Sequence, residues 1–123
     1  MAYVYENLNP CKAIVGDCVV RGLSKVLNQE WEDTYIQLFI VGLQHCDMPS
    51  SNAIWGELLK SKGFSRYAIN EDDYTVEDFC QDFPRGTYLV CTNGHVVAVE
   101  SGNFFDIWDS GSETVLFYWK KEN

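Results

Sequence analysis

The sequence predicts an α+β fold in which an N-terminal helical half packs on a C-terminal antiparallel sheet. Before Gly63 apolar residues recur at helical spacing, and after Pro84 short alternating segments are separated by glycine-containing turns. Helices followed by strands are typical of folds whose helices cover one face or one end of a sheet. With 123 residues, of which 46% are hydrophobic, the chain can bury a core of its own. We therefore expect residues 1–123 to form one domain.

Three helices are expected in the first half, after an extended or irregular segment over residues 1–16. Asp17 is the predicted N-cap of the first helix, with its carboxylate accepting from the free N–H groups of the first turn. The first helix should run from about Cys18 to Leu27, the second from about Glu30 to Gln44, and the third from Ala53 to Lys62. Each has apolar residues at a spacing of three and four positions, so each can bury one face.

The second half is predicted to contain a short helix and several strands. The segment from Thr75 to Asp78 has the form of a capping box and should open a helix that reaches about Phe83. Ser101-Gly102-Asn103 is interpreted as a three-residue hairpin loop, which sets the register of the strands that it joins. The predicted strands cover Phe64–Ile69, Thr87–Thr92, His95–Glu100, Phe104–Trp108 and Thr114–Trp119.

The charge and the cysteines restrict the classes of function. Nine basic against 18 acidic residues give a net charge of −9, which argues against binding a nucleic-acid backbone because such binding depends on Lys and Arg. No apolar run approaches the ~18 residues of a membrane span, and the first residues do not have the pattern of a signal peptide. Because the cysteines are odd in number and no signal peptide is recognised, we expect free thiols in a reducing, cytoplasmic compartment. The spacing of the five cysteines fits no zinc site, so we expect neither a metal nor a cofactor.

Cys18 is the candidate nucleophile because it falls at the first position of the first predicted helix. The positive end of the helix dipole favours the thiolate there, and the thiolate is the reactive form of cysteine. The alternative interpretation is that Cys18 is a small buried apolar residue, which is the usual fate of a free cysteine.

A cysteine nucleophile needs a base, and the base needs an orienting partner. His95 begins a predicted strand directly after a turn, whereas His45 lies at the ragged end of the second helix. The strand after His95 leads to two carboxylates, Asp106 and Asp109. With a three-residue loop, His95 pairs directly with Asp109, and directly paired side chains share a face about 5 Å apart. A two-residue loop would instead bring Asp106 to that face, so the choice of Asp109 depends on the loop.

The order of these residues and their local sequences resemble papain-like cysteine peptidases. The matching segments are Gly-Asp-Cys18, Gly-His95-Val-Val-Ala-Val and Ile-Trp-Asp109-Ser-Gly. The resemblance is strongest to small bacterial and phage relatives of the double-glycine bacteriocin-leader peptidases, and it spans nearly the whole chain in element order. It implies a papain-like fold and acyl transfer through a thioester, with Cys18 as nucleophile, His95 as general base and Asp109 as orienting residue.

Two positions depart from that pattern. Papain-like enzymes usually have a Gln shortly before the nucleophile that helps to hold the oxyanion, and Lys12 occupies its position here. Asn9 is the nearest upstream amide, so Asn9 and Lys12 are the candidate oxyanion donors, beside the backbone N–H of Cys18. The leader-peptidase group also tends to have Pro after the triad Asp, where this chain has Ser110.

Two classes of function follow. The first is a papain-like cysteine hydrolase that cleaves a peptide, isopeptide or related amide bond in a peptide or protein substrate. The alternative is a phage-encoded protein that keeps the papain-like fold and binds or inhibits a partner with weak or absent turnover. The missing Gln and the acidic composition are the reasons for considering the alternative. Neither class requires nucleic acid, a membrane or a cofactor.

Overall fold

The structure, a computed structural model, describes residues 2–122. Its described part has an α+β fold with four helices and six strands, which agrees with the predicted fold class. The helices are α1 (Cys18–Leu27), α2 (Trp31–Gln44), α3 (Asn52–Ser61) and α4 (Val76–Asp82). The strands are β1 (Tyr3–Tyr5), β2 (Phe64–Ala68), β3 (Thr87–Thr92), β4 (His95–Glu100), β5 (Asn103–Asp106) and β6 (Phe117–Lys121).

The strands form one mixed sheet in the order β1-β5-β4-β3-β6-β2. β1 is parallel to β5, and the other neighbouring pairs are antiparallel. The prediction of a wholly antiparallel sheet is therefore wrong at one edge. The reason is that β1 pairs with a segment far away in the sequence, and a three-residue strand with such a distant partner leaves no periodic signal of its own.

Two apolar cores lie on opposite faces of this sheet, since successive residues of β3 and β4 belong to different cores. The first core contains apolar residues of α1, α2 and α3, and the second contains those of α4. Helices thus pack on both faces, which corrects the expectation that they cover one face or one end. In the described residues no helix is both long and apolar enough to cross a membrane.

α1 has the predicted bounds and packs closely on the centre of the sheet. Gly22 permits the close approach, since a Cβ at this position would lie 2.8 Å from Cδ1 of Leu89. Asn28 follows the helix in the left-handed conformation with φ of 54°, and its N–H bonds to carbonyls of the last turn. This packing fixes where the N-terminus of α1, and with it Cys18, lies relative to β4.

The hairpin between β4 and β5 is one residue shorter than predicted. Glu100 pairs with Asn103, so the loop contains only Ser101 and Gly102. Both loop residues have positive φ, 52° and 76°, as a type I′ turn requires. The predicted register of β5 is wrong by one residue, and such a shift exchanges the two faces of a strand.

Candidate functional site

The candidate site lies where the N-terminus of α1 meets one end of the sheet. Cys18 is the first residue of α1, His95 is the first residue of β4, and Asp106 is the last residue of β5. Because β4 and β5 are antiparallel, the start of β4 and the end of β5 lie at the same end of the sheet. Cys18 and His95 line a cleft of about 270 Å³.

The Cys18 thiol lies against the His95 imidazole and the backbone of Val96. Burial would raise the pKa of this thiol, but its interactions with these two groups, together with the charges of His95 and Arg21, lower the pKa below its ordinary value. The position at the start of α1 acts in the same direction. The site therefore favours the thiolate, which is the nucleophilic form.

The His95 imidazole bridges the thiol and a carboxylate. Its Nε2 lies 2.6 Å from Oδ2 of Asp106, which leaves Nδ1 as the ring nitrogen for Cys18. Burial would lower the pKa of the imidazole, but the hydrogen bonds with Asp106 and Cys18 raise it to about 9. Trp108 packs beside the ring, with centroids 5.0 Å apart. Near neutral pH, Cys18 and His95 can thus form a thiolate–imidazolium pair.

The prediction that Asp109 contacts His95 is wrong. Asp109 is exposed, and its Oδ1 accepts a hydrogen bond from the backbone N–H of Gly111 at 3.0 Å. The physical reason is the two-residue turn, which continues the pairing so that Asp106 follows opposite Val97. Asp106 then shares a face with His95, two residues away along β4, and side chains at that diagonal spacing can still meet.

Asp106 is 1% exposed, and both of its oxygens accept hydrogen bonds. Oδ2 accepts from the Ser110 hydroxyl at 2.8 Å in addition to its contact with His95. Oδ1 accepts from the backbone N–H of Ile107 at 2.8 Å and from Nη1 of Arg21 at 3.2 Å. Ser110 thus stabilises Asp106, although sequence reasoning noted it only as a departure from a family pattern.

Arg21 connects this carboxylate to that of Asp17, the residue directly before α1. Asp17 precedes α1 as predicted for an N-cap, but its side chain makes no capping hydrogen bond. Its Oδ1 accepts from Nε of Arg21 at 2.8 Å, and its Oδ2 accepts from Nδ2 of Asn9 at 3.1 Å and from Nε1 of Trp31 at 3.0 Å. A buried Arg between two buried carboxylates outweighs capping, because it neutralises charges that burial alone would disfavour.

The two candidate oxyanion donors predicted from the sequence are occupied elsewhere. The side-chain N–H group of Asn9 donates to Asp17, and its Oδ1 accepts from the backbone of Cys11. The ammonium group of Lys12 donates to the carbonyl of Asn7 at 2.8 Å. Neither residue lines the cleft that contains Cys18.

Two exposed polar residues that were not predicted to act line this cleft. Ser50 lies two residues before α3 and Asn52 is its first residue, and both line the cleft together with Cys18 and His95. Both are exposed, and no hydrogen bond engages either side chain within residues 2–122. The segment from Met48 to Asn52 has the composition of a loop and helix cap, so its sequence gave no reason to prefer a role in the site.

The other cysteines differ from Cys18 in their surroundings. Cys80 and Cys91 are buried; burial raises the pKa of Cys80 to about 11 and also raises that of Cys91. Cys11 and Cys46 are exposed, and all five thiols are free. Within the described residues, no group of three or more His, Cys, Asp or Glu side chains is arranged to hold a metal ion.

Neither a protein-family model, nor a curated protein, nor a solved structure matches this chain. The site is therefore characterised by its own geometry. A thiol, an imidazole and a buried carboxylate follow one another beside an open cleft, and the imidazole is hydrogen-bonded to the carboxylate. Such an arrangement can generate a thiolate and can return a proton to a leaving group.

Proposed function

We propose that this chain is a papain-like cysteine hydrolase that cleaves a peptide, isopeptide or related amide bond through a thioester. One observation carries the proposal: Cys18, at the start of α1, shares a cleft with His95, and the imidazole of His95 is hydrogen-bonded to the buried carboxylate of Asp106. The α+β fold, with the thiol on an early helix and the imidazole on a later strand, is consistent with the papain-like resemblance. Asp106 takes the orienting role that the sequence had suggested for Asp109.

In the proposed reaction, the Cys18 thiolate attacks the carbonyl carbon of the amide and forms a carbon–sulfur bond. The carbon–nitrogen bond then breaks, and the His95 imidazolium gives its proton to the leaving amine. Water attacks the resulting thioester while His95 accepts one of its protons. The carboxylic acid leaves, and the thiolate and the imidazolium are restored.

The oxyanion of the first step needs hydrogen-bond donors. The backbone N–H of Cys18 is one candidate. The Asn52 amide lines the same cleft and is not engaged by another group of residues 2–122, so we assign it as the side-chain donor in place of Asn9 and Lys12.

A binding or inhibitory protein with this fold is the second candidate function. Two observations favour it: both oxyanion donors expected from the sequence are engaged elsewhere, and α2 exposes several large apolar side chains. Such a protein would keep the fold without an efficient reaction.

Alkylation by iodoacetamide distinguishes the two functions. We expect Cys18 to be labelled fastest of the five cysteines at about pH 6, well below the pKa of about 8.5 of a free thiol. Peptide mapping by mass spectrometry measures each site, and the exposed Cys11 and Cys46 are internal controls. His95→Ala should shift the labelling of Cys18 to higher pH.

Turnover is then measured against amide and thioester libraries, with Cys18→Ala as the control. Loss of hydrolysis in Cys18→Ala, with the fold retained, supports the hydrolase. Labelling of Cys18 that is no faster than that of Cys11 or Cys46 would contradict the hydrolase and favour the binding protein.

A further inference from the structure

A second, larger cavity adjoins the candidate site. It has a volume of about 620 Å³, within the range of about 300–1,000 Å³ typical of ligand sites. It lies between the segment before α1, the first turns of α1, the outer side of α2 and the loop before α3. Its walls include Val15, Val19, Val20, Trp31, Tyr35 and Phe39.

The cavity and the Cys18 cleft share part of their lining. Gly16, Val19 and Ser50 belong to both. Gly16 and Val19 lie two residues before and one residue after Cys18 in the chain. A molecule whose reacting carbonyl lies at the thiol could therefore extend a side group directly into the cavity.

The cavity offers no free charge to an occupant. Among the described residues that line it, Asp17 is the one with a charge, and this carboxylate is already bound by Arg21, Asn9 and Trp31. A charged group placed there would lose water without gaining a partner, which is costly. An uncharged apolar side chain would gain by leaving water.

The surroundings of the cavity favour a polypeptide as the source of that side chain. Tyr35 and Phe39 are about half exposed, and the apolar surface continues along α2 to Ile36, Ile40 and Leu43. Contiguous apolar surface of this kind is typical of sites that bind proteins. Three acidic residues lie next to Trp31 in the sequence, namely Glu30, Glu32 and Asp33. α2 contains neither Lys nor Arg. A cationic residue next to the apolar one would complement these carboxylates.

We propose that this cavity is a specificity site for the substrate of Cys18. Its ligand is a polypeptide segment that places an apolar side chain in the cavity and carries an adjacent Lys or Arg. The inference rests on the proposed hydrolase function, because it assumes that the substrate's carbonyl reaches the Cys18 thiolate.

Peptides capped with an iodoacetyl group test the assignment. The Cys18 thiolate attacks the iodomethylene carbon, a carbon–sulfur bond forms and iodide leaves. Three probes are compared with free iodoacetamide: iodoacetyl-Leu-Arg-amide, iodoacetyl-Asp-Arg-amide and iodoacetyl-Leu-Glu-amide. We expect the Leu-Arg probe to alkylate Cys18 about tenfold faster than the Asp-Arg probe, as burial of one leucine side chain would give. The Leu-Glu probe should be slower than the Leu-Arg probe, by a factor that decreases as salt is added.

Two substitutions on α2 provide a matched comparison. Phe39 lines the cavity and is 56% exposed, whereas Leu43 is 71% exposed and does not line it. Phe39→Asp should abolish the preference for the Leu-Arg probe over the Asp-Arg probe, with each rate divided by the rate of the same variant with free iodoacetamide. Leu43→Asp should retain this preference.

The outcomes separate this proposal from the one on which it rests. Equal rates for the Leu-Arg and Asp-Arg probes, with free iodoacetamide still selective for Cys18, would overturn the specificity site and leave the hydrolase intact. Loss of selectivity for Cys18 with iodoacetamide itself would overturn both. If N-octyl iodoacetamide reacted faster than the Leu-Arg probe and were equally sensitive to Phe39→Asp, the cavity would hold an acyl chain, and the polypeptide assignment would be wrong.

Discussion

Asp106 combines burial with hydrogen bonds on both carboxylate oxygens. Burial would raise its pKa, but the hydrogen bonds with His95, Ser110 and the backbone of Ile107 lower the pKa below its ordinary value. The carboxylate is thus held ionised, and rotation would break bonds at both oxygens at once. A group fixed in this way can set the orientation of an imidazole ring and stabilise its charged form.

For the single residues of the site, we predict that Asp106→Asn lowers the reactivity of Cys18, while Asp109→Asn does not. An Asn at 106 keeps the shape but removes the charge that stabilises the His95 imidazolium, so less Cys18 is thiolate. We expect the rate of Cys18 alkylation at about pH 6 to fall roughly tenfold or more, since each unit of pKa is a factor of ten.

The measurement is iodoacetamide labelling with peptide mapping, with the fold of each variant checked by circular dichroism. Asp109 is exposed and accepts a hydrogen bond from the turn that follows it, so Asp109→Asn is the control. Reduced labelling in Asp109→Asn, with full labelling in Asp106→Asn, would restore the assignment that the hairpin register excludes.

Among the elements, α1 is the one that joins the parts of the site. It contributes Cys18 at its start and Arg21 one turn later, and Arg21 reaches Asp106 at the end of β5. Through Asp17 the same Arg21 side chain is linked to the N-terminal segment and to α2. The thiol and the carboxylate are thus held at a fixed separation by one helix and one cation.

We predict that Arg21→Met destabilises the fold by about 3–5 kcal/mol, the usual effect of removing one partner of a buried ion pair. The substitution leaves Asp17 and Asp106 buried without their cation. Urea denaturation measures the free energy of unfolding.

Lys25→Met, one turn further along α1, is the control. Lys25 pairs with Glu6 nearer the surface, where an ion pair contributes about 0–1 kcal/mol. If the two variants lost the same stability, Arg21 would not be a structural link.

The sequence was sufficient to predict the helices and most strands, and it was insufficient for the register. α1 has the predicted bounds because its apolar spacing and its end at Asn28 are local signals, although Asp17 does not make the predicted capping bond. The meeting of Cys18 with His95 follows from the order of elements. The choice between Asp106 and Asp109 depended on one residue in a turn, and Ser101 is not among the residues that most strongly indicate a type I′ turn. The engagement of Asn9 with Asp17 is a tertiary contact that no local pattern reveals.

For the molecule as a whole, the charge pair in the site makes stability depend on pH. The pKa of His95 is raised to about 9 in the folded state, against an ordinary value of about 6.5. Between these values the folded protein binds a proton that the unfolded chain has released. The stability contributed by proton binding at His95 is therefore complete below about pH 6.5 and is lost as pH rises through about 9.

We predict that this loss is visible in Cys18→Ser, where the thiolate is absent and the contact between His95 and Asp106 remains. The free energy of unfolding, measured in urea from about pH 6.5 upward, should fall more steeply than in the double variant Cys18→Ser, His95→Gln. Parallel pH dependences in the two proteins would mean that His95 has no raised pKa when the thiol is absent.

The turn at Ser101 and Gly102 limits which sequence changes the site can tolerate during evolution. Successive side chains of a strand alternate between faces, so one residue added to or removed from the turn would direct Asp106 away from His95. Replacement of a residue leaves that alternation intact, provided that the new residue tolerates positive φ. Relatives that keep the site should therefore differ only by substitutions in the segment from His95 to Asp106. Insertions and deletions should be found elsewhere in the chain.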